Sequence, residues 1–209
     1  MLTLPPPTEI RRRLPRLSVG LTACGVGLAL MVRSDLGLGP WEVLHQGISQ
    51  RVGLPIGFVG IVVGFLVLLG WIPMRQRMGI GTLSNVIWMG IVIDGVLAAL
   101  PEVDAIAVRI ALLVAGIALF GAGSGLYIGA GLGPGPRDGL MTGIASRGYS
   151  LRLVRTAIEV SVLVAGWLLG GTVGIGTVLF AFTIGPLVQL FLPRFTVPLP
   201  HATLTAPAE

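Results

Sequence analysis

The sequence predicts an all-α, polytopic membrane helical bundle with about six transmembrane helices and two short re-entrant half-helices, arranged as two inverted-topology repeats. Three observations predict this fold: an apolar composition, six long apolar runs, and an unusual segment that occurs twice. Apolar residues make up 54% of the chain and charged residues 11%, whereas globular domains contain roughly 45–50% and roughly 25%. Most of the surface is therefore expected to face lipid rather than water.

Six apolar runs are long enough to cross a bilayer, which requires about 20 helical residues. The predicted spans are 17–33, 55–73, 79–100, 109–130, 150–170 and 174–193. They form a single transmembrane domain at 17–193, between a basic tail at 1–16 and a flexible tail at 194–209.

A shorter helix is predicted between the first two spans, from Pro40 to about Arg51. Proline is favoured in the first turn of a helix, and the acidic Glu42 would lie near the positive end of the helix dipole. About twelve residues at 1.5 Å each cover about 18 Å, which is too short to cross the hydrocarbon core. The segment is therefore predicted to be a re-entrant or interfacial half-helix.

The Gly-Leu-Gly-Pro motif that precedes this half-helix, at 37–40, occurs again at 131–134, an offset of 94 residues. Further matches follow in the same order at nearly the same offset: Gly47-Ile48 with Gly143-Ile144, Gly70-Trp71 with Gly166-Trp167, Gly79-Ile80-Gly81-Thr82 with Gly174-Ile175-Gly176-Thr177, and Gly90 with Gly185. They predict a duplication, with repeat 1 at 17–101 and repeat 2 at 109–193. Because each repeat has three spans, the second copy would be inverted in the membrane.

The arginines predict the orientation. With the N-terminus inside, the arginines that fall on cytoplasmic sides are Arg75, Arg77, Arg137, Arg147, Arg152 and Arg194, while Arg33, Arg51 and Arg109 are exceptions. This bias follows the positive-inside rule. Both termini are therefore predicted to be cytoplasmic.

Several functions are not expected. The arginines within 11–16 directly precede an apolar run, where cations fix orientation against a lipid surface rather than bind nucleic acid. Cys24 is the only cysteine, and the apolar run continues past it, which favours an uncleaved helix over a lipoprotein signal. The sequence contains no HExxH, GxSxG or phosphate-loop motif, so neither an enzyme nor a metal or cofactor site is expected.

The two Gly-Leu-Gly-Pro segments are predicted to lie in the protein interior, because irregular backbone in a bilayer must be buried or line a wet cavity. The helix N-termini that follow would offer free N–H groups to an anionic group of a ligand. The candidate binding glycines are Gly37, Gly39, Gly131 and Gly133. The alternative is that these segments only connect spans.

Glu42 and Asp138 occupy equivalent positions at an offset of 96 residues, as do Arg51 and Arg147. Nine residues separate each acid from its arginine, so the two lie at opposite ends of the half-helix and do not pair within it. One hypothesis makes the acids a pseudo-symmetric pair of proton or cation acceptors. In the alternative, each acid caps its half-helix and each arginine extends to the interface.

Other polar residues in apolar surroundings are further candidates. Asp94 lies within a span, where a charge usually faces a cavity or a partner. In the alternative, its position near the end of the helix lets it reach the outer interface instead. Arg155 and Glu159 are four residues apart and predict a pair on one helical face. His45 would lie on the same face as Glu42, either as a proton relay or as a hydrogen-bonded structural group. The remaining candidates for the lining of a binding site are Trp41, Asn85 and Arg137.

Five segments carry a resemblance to a known family: GLGPWEVLHQGIS, GIGTLSNV, GLGPGPRDGLMTGIASR, RTAIEV and GIGTVLFAFTIGPLVQ. At these segments the chain resembles YczE-type membrane proteins of the YczE/YyaS/YitT family, over roughly residues 15 to 193. Glu42 stands where the resemblance leads us to expect Asp more often, a change that keeps the charge. The resemblance implies a multi-span bacterial plasma-membrane protein with a duplicated architecture, but it implies no substrate.

The sequence thus favours a small secondary transporter or exporter of a small-molecule solute, with its site between the two repeats. Coupling to protons would use the carboxylates. The alternative is a membrane accessory or scaffold protein that holds a partner complex and transports nothing. In that case the faces of small residues would serve contacts between subunits, including those of a homo-oligomer.

Overall fold

The structure is a computed structural model that describes residues 7–196. Within this range the chain forms nine α-helices joined by short connections. They are α1 (Pro7–Ser34), α2 (Pro40–Val52), α3 (Ile56–Leu69), α4 (Trp71–Met74), α5 (Ile80–Ala99), α6 (Ile106–Gly129), α7 (Pro136–Ala145), α8 (Leu151–Leu168) and α9 (Ile175–Phe195). The predicted all-α membrane bundle is confirmed.

Five helical stretches are long and apolar enough to cross a membrane: α1, α3 together with α4, α5, α6 and α9. Helix α8 has 18 residues but carries Arg152, Arg155 and Glu159, so the sixth crossing stays a prediction. Helices α2 and α7 contain 13 and 10 residues, which is too short to span a bilayer. These are the two predicted half-helices.

The first helix begins earlier than predicted, because α1 starts at Pro7 and includes most of the segment predicted as a tail at 1–16. Within it, Arg13 is 3% exposed and forms an ion pair with Glu9 at 2.9 Å. Such a pair, four residues apart, stabilises a helix. At the other end, α9 continues to Phe195. Residues 1–6 and 197–209, which hold the rest of both predicted tails, lie outside the described residues.

The centre of the bundle is the crossing of α1 and α6, where glycines allow the two backbones to touch. A Cβ atom built at Gly27 would lie 2.6 Å from the carbonyl oxygen of Gly116, and one built at Gly116 would lie 2.6 Å from that of Gly27. Gly20 and Gly123 face each other in the same way. Small residues at a helix crossing permit close van der Waals packing in lipid.

Contacts between the two halves of the chain occur in pairs. Arg13 donates to the carbonyl oxygen of Ala130 at 3.2 Å, and Arg109 donates to that of Ser34 at 2.6 Å. Arg109 follows Arg13 by 96 residues, and Ala130 follows Ser34 by the same number. A second such pair consists of Arg51 with the Leu169 carbonyl at 3.2 Å and Arg147 with the Pro73 carbonyl at 3.4 Å. Reciprocal contacts at a constant offset are what a duplicated chain with two-fold pseudo-symmetry would form.

The loops before the two half-helices have the same backbone geometry. Gly37 and Gly133 have φ values of 112° and 127°, a region that L side chains rarely adopt. The residues before these glycines, Leu36 and Leu132, each accept a backbone hydrogen bond from the first turn of the last spanning helix in the other half of the chain. These bonds run from Gly176 N–H to the Leu36 carbonyl at 2.8 Å and from Gly81 N–H to the Leu132 carbonyl at 2.9 Å. Both half-helices are thereby tied to the opposite half of the chain.

This geometry corrects the predicted register of the duplication. The second half-helix begins at Pro136 rather than Pro134, so 37–40 corresponds to 133–136, at an offset of 96 and not 94 residues. The sequence Gly-Leu-Gly-Pro-Gly-Pro holds two overlapping Gly-x-Gly-Pro motifs, and identity favours the first. In the structure the second motif is the equivalent of 37–40, because its first glycine, Gly133, has a positive φ and contacts the N-terminus of α5.

Candidate functional site

A cavity of ≈ 480 Å³ lies where the N-terminal ends of α2 and α7 approach each other. Side chains from α1, α5, α6, α8 and α9 complete its wall. Seven of the predicted site residues line it: Trp41, Glu42, Asn85, Arg137, Asp138, Arg155 and Glu159. The fold thus brings together polar residues that lie up to 118 positions apart in the sequence.

An ion pair between the half-helices crosses one wall of this cavity. Arg137 Nη2 donates to Glu42 Oε1 at 2.7 Å, and the side chains are 29% and 3% exposed. The Arg137 guanidinium also lies 5.1 Å from the centre of the Trp41 ring, within the range of a cation–π contact. No local sequence pattern predicts this pair, because its two residues are 95 positions apart.

Two buried polar atoms beside this ion pair have no hydrogen-bond partner among the described residues. They are Glu42 Oε2 and Trp41 Nε1, an acceptor and a donor. A buried polar group without a partner costs free energy, and such groups are rare in folded proteins. Both atoms are shielded from the cavity, so a ligand would contact them only after a local rearrangement.

Asp138, the counterpart of Glu42, has different surroundings. Its Oδ2 accepts a long hydrogen bond of 3.5 Å from the Tyr127 hydroxyl. In the part of the chain that the structure describes, no arginine lies within ion-pair distance of it. The two equivalent acids are therefore not equivalent in chemistry: Glu42 is neutralised by an arginine, and Asp138 is not.

The predicted pair on α8 is present. Arg155 Nε donates to Glu159 Oε1 at 2.9 Å, and both side chains are partly exposed, at 57% and 34%. Because both residues line the cavity, this pair neutralises two of the charges on its wall.

The N-termini of both half-helices face carboxylates of the protein itself. A Cβ atom built at Gly39 would lie 2.7 Å from Glu42 Oε2, and one built at Gly135 would lie 3.1 Å from Asp138 Oδ2. Each acid thus folds back toward the first turn of its own helix, where the dipole favours negative charge. The anionic group expected there is a carboxylate of the chain itself, although neither acid makes a capping hydrogen bond to the N-terminus of its half-helix.

The four candidate glycines do not line the cavity. Gly37 and Gly133 pack against the starts of α9 and α5, Gly39 precedes α2, and Gly131 lies 3.0 Å from Arg13, measured from a built Cβ. Their role is to position the half-helices, as in the alternative that these segments are connections. The glycine at the cavity wall is Gly135.

Asp94 also lies outside the cavity. Its carboxylate accepts hydrogen bonds from the backbone N–H groups of Gly57 at 2.7 Å and Phe58 at 2.8 Å. These are the free donors of the first turn of α3, so Asp94 caps a neighbouring helix. Neither of the two roles considered for it, cavity lining or contact with the interface, describes this contact.

We expect Asp94→Ala to lower the free energy of unfolding by about 1 kcal/mol, as the loss of a helix cap does, and to leave the cavity unchanged. Thermal unfolding of the purified protein in detergent would measure this loss. Asp104→Ala, in the loop before α6, serves as the control and should unfold like the parent. Equal unfolding of the two variants would contradict the capping role.

His45 borders a separate, smaller cavity of ≈ 40 Å³ and is 7% exposed. Trp41, Glu42 and Arg137 line this small cavity as well as the large one. His45 therefore lies behind the ion pair, against α3, and does not contact the large cavity.

Sequence reasoning missed the aromatic part of the site. Phe120, Tyr127 and Phe180 line the cavity together with Trp41. Aromatic side chains are common in membrane spans, so periodicity and composition give no signal that separates these three from lipid-facing or packing residues. Among residues 7–196, no three His, Cys, Asp or Glu side chains are grouped so that they could hold a metal ion.

A family model described as "Family of unknown function (DUF6198)" matches residues 11–193, which include the whole predicted transmembrane domain at 17–193. The chain belongs to the DUF6198 family. The match includes both half-helices and every residue of the cavity.

Three relatives extend this comparison of the DUF6198 chain. It is 42% identical over 186 residues to an uncharacterized protein of Haemophilus influenzae, with 88% of this chain and 85% of the relative covered. It is 35% identical over 179 residues to the "Uncharacterized membrane protein YczE" of Bacillus subtilis, with 84% and 83% covered. Identity to the Bacillus subtilis protein YyaS is 26% over 182 residues, with 84% and 90% covered.

The predicted resemblance to YczE-type proteins is therefore confirmed, and the chain is a helical membrane protein. No solved structure matches it.

Proposed function

We propose that this DUF6198 protein is a small secondary transporter or exporter, which moves a small molecule through the cavity bordered by the two half-helices. Its halves would be inverted-topology repeats in a bacterial plasma membrane, with both termini cytoplasmic. The solute would bind and leave without covalent chemistry. The alternative is an accessory protein that holds a partner complex and transports nothing.

The observation that carries the proposal is the Glu42–Arg137 pair at 2.7 Å, because it joins the two half-helices beside a polar cavity. Ionised groups are expensive inside a bilayer and usually mark the path of a solute or ion. In secondary transporters with inverted repeats, interrupted helices meet at the binding site near the middle of the membrane.

The reciprocal contacts at an offset of 96 residues support the two-repeat architecture that alternating access requires. Arg13 and Arg109 each donate to a carbonyl at the C-terminal end of the first helix of the other half. In such an architecture, an exchange of conformation between the repeats converts an inward-facing state into an outward-facing one.

Two equivalent tryptophans differ in burial between the halves, as an exchange of conformation between the repeats requires. Trp71 is fully buried and donates from Nε1 to the Pro136 carbonyl at 3.0 Å, so it packs against α7. Its counterpart 96 residues later, Trp167, is 62% exposed. We infer that Trp71 holds α7 in place in this state and that Trp167 would pack against α2 in the opposite state.

Access to the cavity can be tested without knowing the solute. In a Cys24→Ser background, Ser124→Cys or Ala181→Cys places one thiol on the cavity wall. We expect a membrane-impermeant maleimide to label each thiol in both right-side-out and inside-out vesicles, because the cavity would open to each side in turn. The fraction labelled would be measured by mass spectrometry.

Two loop positions serve as controls: Asp104→Cys and Tyr149→Cys should each be labelled from one side only, and from opposite sides. Labelling of the cavity thiols from a single side, with the loop controls behaving as expected, would overturn the transport proposal and favour the accessory role.

A further inference from the structure

We propose that the solute of this cavity is a small organic cation with one positive charge and an apolar body. This inference rests on the proposed function and names its substrate class. It follows from the charges and the aromatic side chains of the cavity wall.

The charges of the lining leave one carboxylate without a counter-ion. Of the three acids and two arginines in the wall, Glu42 is paired with Arg137 and Glu159 with Arg155. Asp138 remains without an ion pair: its carboxylate accepts a hydrogen bond from the Tyr127 hydroxyl at 3.5 Å, and Arg155 and Arg137 act on it only from beyond ion-pair distance. A carboxylate removed from bulk water requires a compensating charge or strong hydrogen bonds. A ligand with one positive charge supplies the missing counter-ion.

Four aromatic side chains contribute to the rest of the wall. Trp41, Phe120, Tyr127 and Phe180 all border the cavity. The faces of such rings attract cations, and they bind substituted ammonium groups especially well once water is excluded. The Arg137 guanidinium over Trp41, at 5.1 Å, shows that one of these rings already faces a positive charge. An organic cation would find both its charge and its apolar surface accommodated.

Two polar atoms beside the ion pair, Glu42 Oε2 and Trp41 Nε1, have no partner within the described chain. Both are shielded from the cavity, so they would not contact a solute in this state. The solute is therefore held by Asp138 and by the aromatic rings. A quaternary ammonium, which has no N–H group to donate, satisfies both requirements.

An anionic solute does not fit this arrangement. The positive ends of both half-helices are already faced by Glu42 and Asp138, and both arginines of the lining are already paired. An anion would have to separate an ion pair and approach an unpaired carboxylate. The cavity volume of ≈ 480 Å³ lies within the range of about 300–1,000 Å³ that is usual for small-molecule sites.

Three probes with the same benzyl body test the charge requirement: benzyltrimethylammonium as the cation, benzyl alcohol as the neutral compound and phenylmethanesulfonate as the anion. We expect the full-length protein in proteoliposomes to take up radiolabelled benzyltrimethylammonium. Excess of the neutral or anionic probe should leave this uptake unchanged. Binding of the cation in detergent would be measured by calorimetry.

Asp138→Asn should weaken binding of the cation by about tenfold or more, because it removes a charge-assisted contact. Asp138→Glu should restore most of the affinity. Asp104→Asn removes an acid outside the cavity and should bind like the parent. Thermal unfolding of each variant would separate loss of affinity from loss of structure.

The outcomes distinguish the two proposals. Uptake of the sulfonate but not of the ammonium probe would overturn the cation assignment and leave transport intact. Binding that is equally strong in Asp138→Asn would also overturn it, as would failure of the parent protein to bind the cation while its cavity thiols are labelled from both sides. Labelling from one side only would overturn transport itself.

Discussion

Replacement of Arg137 by methionine is expected to lower the free energy of unfolding by about 3–5 kcal/mol, the usual cost of removing one partner of a buried ion pair. The cost is large because the remaining Glu42 side chain is only 3% exposed and would keep an uncompensated charge away from water. Methionine preserves most of the volume of arginine, so the change tests the charge rather than the packing. Thermal unfolding in detergent would measure the loss.

A double variant and a control variant at the other ion pair show whether the loss comes from an unpaired buried charge. The double variant Glu42→Gln with Arg137→Met should recover much of the stability, because no buried charge is left alone. Arg155→Met breaks the other ion pair of the cavity, in which the arginine is 57% exposed, and should cost only about 1 kcal/mol or less. Equal losses in Arg137→Met and Arg155→Met would show that the half-helices are not held together by this buried pair.

Gly27→Ala is expected to destabilise the bundle by about 1–3 kcal/mol, the usual cost of an added methyl group in a packed interior. Its Cβ would lie 2.6 Å from the Gly116 carbonyl oxygen and 2.8 Å from the backbone nitrogen of Phe120. These are backbone atoms, so relief requires that α1 and α6 move apart. Gly116→Ala should cost a similar amount, because it meets the Gly27 carbonyl at the same distance.

Gly95→Ala provides the matched control for this crossing. Gly95 lies within α5, and a Cβ built there meets nothing within 4 Å. Alanine is favoured over glycine inside a helix by about 1 kcal/mol, so this variant should be as stable as the parent or slightly more stable. If Gly27→Ala and Gly95→Ala unfold at the same temperature, α1 and α6 do not cross in backbone contact.

The helices that the sequence predicted most accurately are those defined by local properties. The length of an apolar run determines whether a segment can span lipid, and Pro40 in a short segment with few apolar residues marked the first half-helix. Helix boundaries were predicted less accurately where a helix extends into charged residues, as at the start of α1. Arg13 belongs to α1 because its side chain reaches the Ala130 carbonyl, a contact with a residue 117 positions away that no local pattern reveals.

The candidate site was also predictable in part from local properties of the sequence. Charged residues are rare in this chain, so those within or next to apolar runs, such as Glu42, Asp138 and Glu159, could be selected by their rarity. Their partners could not. The equivalence of Glu42 and Asp138 gave no reason to expect an arginine beside one acid only. Asp94 satisfied the same criterion of rarity, yet it caps α3, because the start of that helix happens to lie beside it.

The sequence by itself was enough to predict a helical membrane protein with two short half-helices, because the length and polarity of each segment determine whether it can span a bilayer. The tertiary structure decided the register of the two halves, the pairing of Glu42 with Arg137, and the cavity in which Asp138 lacks a counter-ion. These features depend on distances between residues about a hundred positions apart. Only packing of the whole bundle sets such distances.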